Sequence, residues 1–154
     1  MGADIYLMSE IEKRRARNIP YNEIYTDECY FRDSYNVTSL YWLLGRSWWS
    51  DVRLVDPGDE YRNEDGELTE AGLVKGLEMQ RNYLEAFRPE RGYFEGKFDL
   101  WLKNQKGERD SPIDFGTHGN GADKWKEMFQ SKIDRWIALQ ERAIALGELL
   151  EWSV

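Results

Sequence analysis

Cysteine and histidine are almost absent: Cys29 and His118 are the only residues of their kinds. One thiol cannot form a disulfide within the chain. One thiol and one imidazole cannot build an ordinary zinc site either. A Ser-His-Asp arrangement would have to use His118, which lies in a glycine-rich loop with no Gly-x-Ser-x-Gly turn beside it. There is no Walker A sequence and no Gly-x-Gly-x-x-Gly following a strand pattern. No apolar run approaches the length of a membrane span, and the first residues lack a basic stretch leading into an apolar one. Positive charge is scarce as well, with 21 Lys and Arg against 29 Asp and Glu, a net charge of −8. That balance disfavours direct binding to a phosphate backbone. It suits a solvated surface, a basic partner, or mimicry of a nucleic acid. The expected compartment is the cytoplasm, and no cofactor or metal is implied.

Aromatic residues are abundant: seven Trp, nine Tyr and six Phe in 154 residues. Such a chain can bury a real core and is expected to form one domain. Residues 3–8 alternate, with Ala3, Ile5 and Leu7 on one side, which predicts a short strand. Ser9–Arg17 starts a charged helix that Pro20 ends, and Tyr21–Cys29 reads as irregular. Thr38 or Ser39 can cap a short helix over Leu40–Leu44, and Ser47 a second one over Trp48–Leu54. Asp56-Pro57-Gly58-Asp59 is a turn by composition. Thr69 opens a helix carrying Leu73, Leu77, Leu84 and Phe87 on one stripe. Gly92–Asn104 predicts a helix bearing Phe94, Phe98, Trp101 and Leu102, and Gln105–Gly121 a polar loop. From Ala122 to Leu146 a long helix repeats apolar residues at i, i+3 and i+4, with Gln140 its one polar member and Gly147 its cap. Leu149–Val154 alternates again. The expected fold is α+β and mostly α, a single domain with a long C-terminal helix and a small sheet pairing the N- and C-terminal strands.

Two segments are candidates for function. In Tyr30–Val55 the rings of Tyr35, Trp48 and Trp49 are interleaved with Arg32, Asp33, Asn36 and Asp51. Buried Trp N–H and Tyr O–H groups need partners, so this mixture forms either a core with a polar network or a pocket for a flat polar ligand. Adjacent helical residues point different ways, so Trp48 can pack inside while Trp49 lines a cleft, or the reverse. The second segment, Gly116, Thr117, His118, Gly119 and Gly121, precedes the longest helix, where converging N–H groups can hold an anion. The same loop also reads as a capped helix start, with Asn120 the cap and Asp123 in the first turn. Asn63–Leu68 has the glycine of a calcium loop, but Tyr61 and Gly72 stand where its end carboxylates belong. It is expected to be a turn into the Thr69 cap.

The central block carries a resemblance. The opening Met1-Gly2-Ala3-Asp4-Ile5-Tyr6-Leu7, the segment Tyr30-Phe31-Arg32-Asp33-Ser34-Tyr35-Asn36, then Thr38-Ser39-Leu40, Trp42, Leu44-Gly45, Ser47-Trp48-Trp49 and Asp51-Val52 resemble a family of uncharacterised phage and bacterial proteins. Arg142-Ala143-Ile144 and Leu146-Gly147-Glu148 through Ser153-Val154 extend the likeness. The resemblance implies a shared fold and a shared site at the central motif, and no activity. If phage-encoded, the chain would work in the host cytoplasm, where sequestering a signalling molecule to defeat host defence is the natural analogy. The leading functional expectation is a non-catalytic binder of a small polar or aromatic ligand, such as a nucleotide. Trp48, Trp49 and Tyr35 would stack, Arg32 would meet a phosphate or carboxylate, and Asp33, Asn36 and Asp51 would read polar edges. The alternatives are an acidic protein-binding inhibitor or nucleic-acid mimic, and a metal-assisted phosphoester or nucleotide hydrolase using Asp4, Asp33 and Asp51, or another acidic set. Trp152 near a possible edge strand offers a route to a homo-oligomer.

Overall fold

A computed structural model describes residues 2–34, 39–40, 43, 56–87, 93–106 and 121–153. The chain begins with strand β1 (Gly2–Tyr6), followed by helix α1 (Met8–Ala16), the single turn α2 (Tyr21–Ile24) and strand β2 (Tyr30–Ser34). A short 3₁₀ turn over Asp59–Tyr61 precedes helices α3 (Glu70–Phe87), α4 (Tyr93–Lys106) and α5 (Gly121–Ala145), and strand β3 (Glu151–Ser153) follows. The fold is α+β and mostly α, as the helical and alternating patterns predict.

The sheet has three strands in the order β2-β1-β3, both pairings antiparallel. Pairing of β1 with β3 was expected. The addition of β2 was not, and it makes β1 central. Its register sets Ala3 opposite Asp33, Asp4 opposite Arg32 and Ile5 opposite Phe31. Because strand side chains alternate, Ala3, Ile5, Leu7, Phe31 and Asp33 share the covered face, while Asp4, Tyr6, Tyr30 and Arg32 share the other. Ala3, Ile5 and Leu7 have no exposed surface.

The helices cover that inner face. Phe129, Ile133, Trp136 and Leu139 of α5 are buried, joined by Leu84 of α3 and by Phe94, Phe98 and Trp101 of α4. They belong to one cluster with the strand residues and with Ile11, Ile24, Leu40 and Leu43. Rings meet mostly tilted or edge-on, as their quadrupoles favour: Trp101 meets Phe129 at 5.0 Å and 79°.

The element ends follow local chemistry. Thr69 Oγ1 accepts the Gly72 N–H at 3.1 Å, capping α3 as expected. At the end of α5, Gly147 has φ +65°; its N–H donates to Ile144 O at 3.0 Å and Glu148 N–H donates to Ala143 O at 3.0 Å. That pair of bonds is a Schellman motif, and it turns the chain back toward the sheet. α1 has no side-chain cap of its own. Instead the Glu148 carboxylate accepts the Ser9 N–H at 2.9 Å and the Ser9 hydroxyl. Residues 63–68 form the expected turn: Asn63 Oδ1 accepts the N–H groups of Asp65 and Glu67, and Gly66 has φ +80°. The expected helix over Trp48–Leu54 and most of the loop over Gln105–Gly121 lie outside the described residues, while Leu43 N–H donates to Ser39 O at 3.2 Å, one turn of the expected first short helix.

Candidate functional site

Of the central-motif residues, Tyr35, Asn36, Trp48, Trp49 and Asp51 lie outside the described residues, as do Gly116, Thr117, His118 and Gly119; Gly121 opens α5. Arg32 and Asp33 are both described, and the strand separates them. Asp33 is fully buried on the inner face. Its Oδ1 accepts the Leu40 N–H at 3.0 Å and lies 3.3 Å from Lys132 Nζ of α5. A buried carboxylate needs such partners, and here they tie β2 to Leu40 and to α5. Asp33 is thus committed to internal partners and does not share a surface with Arg32.

Arg32 projects from the open face of the sheet, with 60% of its side chain exposed. Its Nε lies 3.8 Å from Asp4 Oδ1, and the Tyr30 hydroxyl donates to the same carboxylate oxygen. Tyr6, Tyr25 and Tyr30 pack beside them, with ring centroids 5.4–6.1 Å apart. Burial, then the hydrogen bond and charge of Asp4, push the Tyr30 hydroxyl up to about 12. Asp4 and Asp33 face opposite ways, so those two acids of the expected metal set do not converge. Among the described residues no group of three His, Cys, Asp or Glu is placed to hold a metal ion. Cys29 is buried, its Sγ donating to Ile24 O at 3.1 Å.

A concavity lies elsewhere among the described residues. A cavity of about 640 Å³ opens between α3, α5, the segment from Asp56 to Leu68, and the tail from Leu149 to Trp152. Trp136 and Trp152 wall one side, their rings 5.8 Å apart and nearly perpendicular at 81°. Gln80 of α3 and Gln140 of α5 also line it, and both are buried. Gln140 Nε2 donates to Trp136 O at 3.3 Å. Gln80 Oε1 has no hydrogen-bond partner among the described residues. Leaving a buried amide oxygen unpaired costs about 1–3 kcal/mol, and this one is closed off beneath the cavity wall.

The cavity wall is built by sequence spacing on α3. Gly72, Gly76 and Gln80 recur every four residues and so share one helix face. A Cβ on Gly72 would stand 2.7 Å from Tyr61 O, and one on Gly76 would stand 2.6 Å from Leu149 Cδ1. The glycines let the Tyr61 turn and the C-terminal tail lie directly on the helix, and Gln80 stands at the next step. At the rim, Arg62 Nη1 donates to Gly66 O at 2.9 Å and Nη2 to Asp56 Oδ1 at 3.3 Å. Asp56 Oδ1 also accepts the Gly58 N–H at 3.0 Å.

None of these lining residues was singled out as a ligand-binding residue from the sequence. A signal was nonetheless present: each of the two longest helices carries one glutamine within its apolar stripe. Gln140 was recognised as the polar member of its stripe; Gln80, between Leu77 and Leu84, completes the other in the same way. A buried polar residue is the informative exception in an apolar face.

No described helix is long and apolar enough to cross a membrane. Comparison with known proteins returns no family model, no curated protein and no solved structure that matches this chain.

Proposed function

We propose that this protein is a non-catalytic binder of a small, flat, polar ligand, and that the ligand enters the cavity between α3, α5 and the tail from Leu149 to Trp152. The observation that carries this is a cavity of about 640 Å³ lined by Trp152, Leu149 and Leu150, with Asp56, Arg62 and Glu151 as its polar groups. The volume falls in the ordinary range of small-molecule sites, and an apolar wall with a few convergent polar groups is their usual construction. Among the described lining residues there is no Ser, Cys, His or Lys, and of the two lining acids Asp56 is engaged by Arg62 and the Gly58 N–H. Binding without turnover is the chemistry these groups support. In a phage setting the same site would serve to sequester a host signalling molecule.

Native mass spectrometry of protein purified from cells, followed by thermal-shift screening of purine and pyrimidine compounds, tests the proposal. A co-purifying small molecule, or a raised Tm accompanied by a change in tryptophan fluorescence, is expected. Protein that carries no small molecule and shifts with none of the panel would overturn it.

The acidic-inhibitor alternative retains one specific observation in its favour. Between Asp56 and Glu70 stand seven exposed carboxylates and a single guanidinium, that of Arg62. Such a surface attracts a basic partner. If it does so, affinity capture with the purified chain will retain basic proteins at low salt and release them as salt rises.

A further inference from the structure

We infer that the open face of the sheet docks a second copy of this chain, with Arg32 of each copy meeting Glu151 of the other in a two-fold dimer. This does not rest on the cavity being a ligand site.

The strand register lays the face out as two rows. Arg32 of β2, Asp4 of β1 and Ser153 of β3 form one row; Tyr30, Tyr6 and Glu151 form the other. Paired residues share a face, so these side chains stand together on the side away from Ala3, Ile5 and Phe31. Arg32 and Glu151 occupy diagonally opposite corners. With strands about 4.8 Å apart and about 3.4 Å per residue, their Cα atoms are about 12 Å apart, and the β1 side chains stand between them.

Both corners reach solvent. Glu151 is exposed, and the Arg32 side chain is 60% exposed although its Nε lies 3.8 Å from Asp4 Oδ1. A loose, solvated ion pair of this kind contributes little, so Arg32 turns outward at small cost. The middle of the face is aromatic. Tyr6, Tyr25 and Tyr30 touch one another, and Tyr21, 77% exposed, packs on Tyr25 at 5.2 Å. At that end Arg15 Nη2 donates to the Tyr25 hydroxyl at 2.6 Å. Tyrosines edged by arginine are the composition enriched where proteins meet.

The placement of the charges selects a second copy as the occupant. A two-fold contact requires a patch that complements itself: where residue i meets j, j meets i. A two-fold axis in the plane of contact, perpendicular to the Arg32–Glu151 diagonal, lays each corner over the other. The opposite charges then meet twice, with the tyrosines between them. The strands of the two sheets cross steeply, the orthogonal mode of sheet packing. The face is small beside the roughly 20–30 residues a side of a standard interface, so the dimer should form and dissociate with concentration.

Sedimentation velocity of the full chain at rising concentration tests this. A concentration-dependent shift from monomer to dimer is expected. Arg32→Glu sets like charges against each other at both corners, and Glu151→Arg does so with the opposite sign. Each should weaken dimerisation about tenfold or more. An equimolar mixture of the two variants should restore it, because each then meets the opposite charge on the other. Arg32→Gln adds no charge beside Asp4; it should weaken the dimer less, and it serves in place of Arg32→Glu if circular dichroism shows that variant to be unfolded. A chain that stays monomeric at every concentration would overturn the inference. So would a dimer that Arg32→Gln and Glu151→Arg leave at full strength, or two folded charge variants that mixing does not rescue.

Discussion

At the scale of single residues, the chain spends its polar groups in two ways. Asp33 is neutralised inside, between Lys132 and the Leu40 N–H, while Asp4 lies on the open sheet face among tyrosines. Asp33→Ala leaves Lys132 without that carboxylate and the Leu40 N–H unpaired. It is expected to cost about 3 kcal/mol in urea denaturation, the low end for breaking a buried pair, because Lys132 is partly exposed and can reach water. Asp33→Asn should cost less, since an amide oxygen still accepts from Leu40. A loss under about 1 kcal/mol for Asp33→Ala would show the pair to be dispensable. Tyr30 makes a prediction in pH. Its hydroxyl ionises at about 12 in the fold, against about 10 in an unfolded chain, so the folded state holds the proton longer. Its contribution to stability is therefore complete below about pH 10 and is lost as pH rises toward about 12. Stability measured across that window should fall less steeply in Tyr30→Phe than in the unaltered protein; equal slopes would exclude the effect. Sequence alone showed that Asp33 sits among rings and charges. It could not show which way the side chain points, because that depends on Tyr30–Ser34 being a strand in register with β1.

At the scale of elements, legibility tracked how much of the structure is set locally. The stripe of α5, the Thr69 cap and the Gly147 cap are written in neighbouring residues, and they appear where the periodicity and capping residues put them. Strand β2 was not legible. Its inward residues are Phe31 and Asp33, so a charged side chain breaks the apolar alternation that marks a half-buried strand. Its state is decided by pairing with residues about thirty positions earlier, which no local pattern encodes. The cap of α1 was hidden for a like reason: its acceptor, Glu148, lies 139 residues from Ser9. Two substitutions test these ends. Gly147→Ala places a Cβ at φ +65°, and about 1 kcal/mol of stability should be lost, read from the denaturation midpoint. Glu148→Ala removes both acceptors at the start of α1 and should cost about 1–2 kcal/mol, with faster amide exchange confined to the first turn of that helix. Uniformly faster exchange would mean that Glu148 does something other than cap.

At the scale of the whole molecule, the cavity joins parts that are far apart in sequence: the Asp56–Leu68 segment, the glycine face of α3, the middle of α5, and the residues leading into β3. That dispersal is why no compact sequence block announces the cavity, whereas the Tyr30–Val55 motif is contiguous. The sheet is similarly non-local. β1 meets β2 after the segment that carries α1 and α2, but meets β3 only through residues 151–153. During synthesis this order has a consequence. A nascent chain can join its first two strands early, yet one edge of β1 must stay bare until nearly every other described residue has left the ribosome. Until then the hydrogen-bonding groups meant for β3 are open to any extended segment nearby, and Trp152 has not yet arrived to complete the tryptophan wall. The described cavity therefore gains its last wall only after α5 has been made.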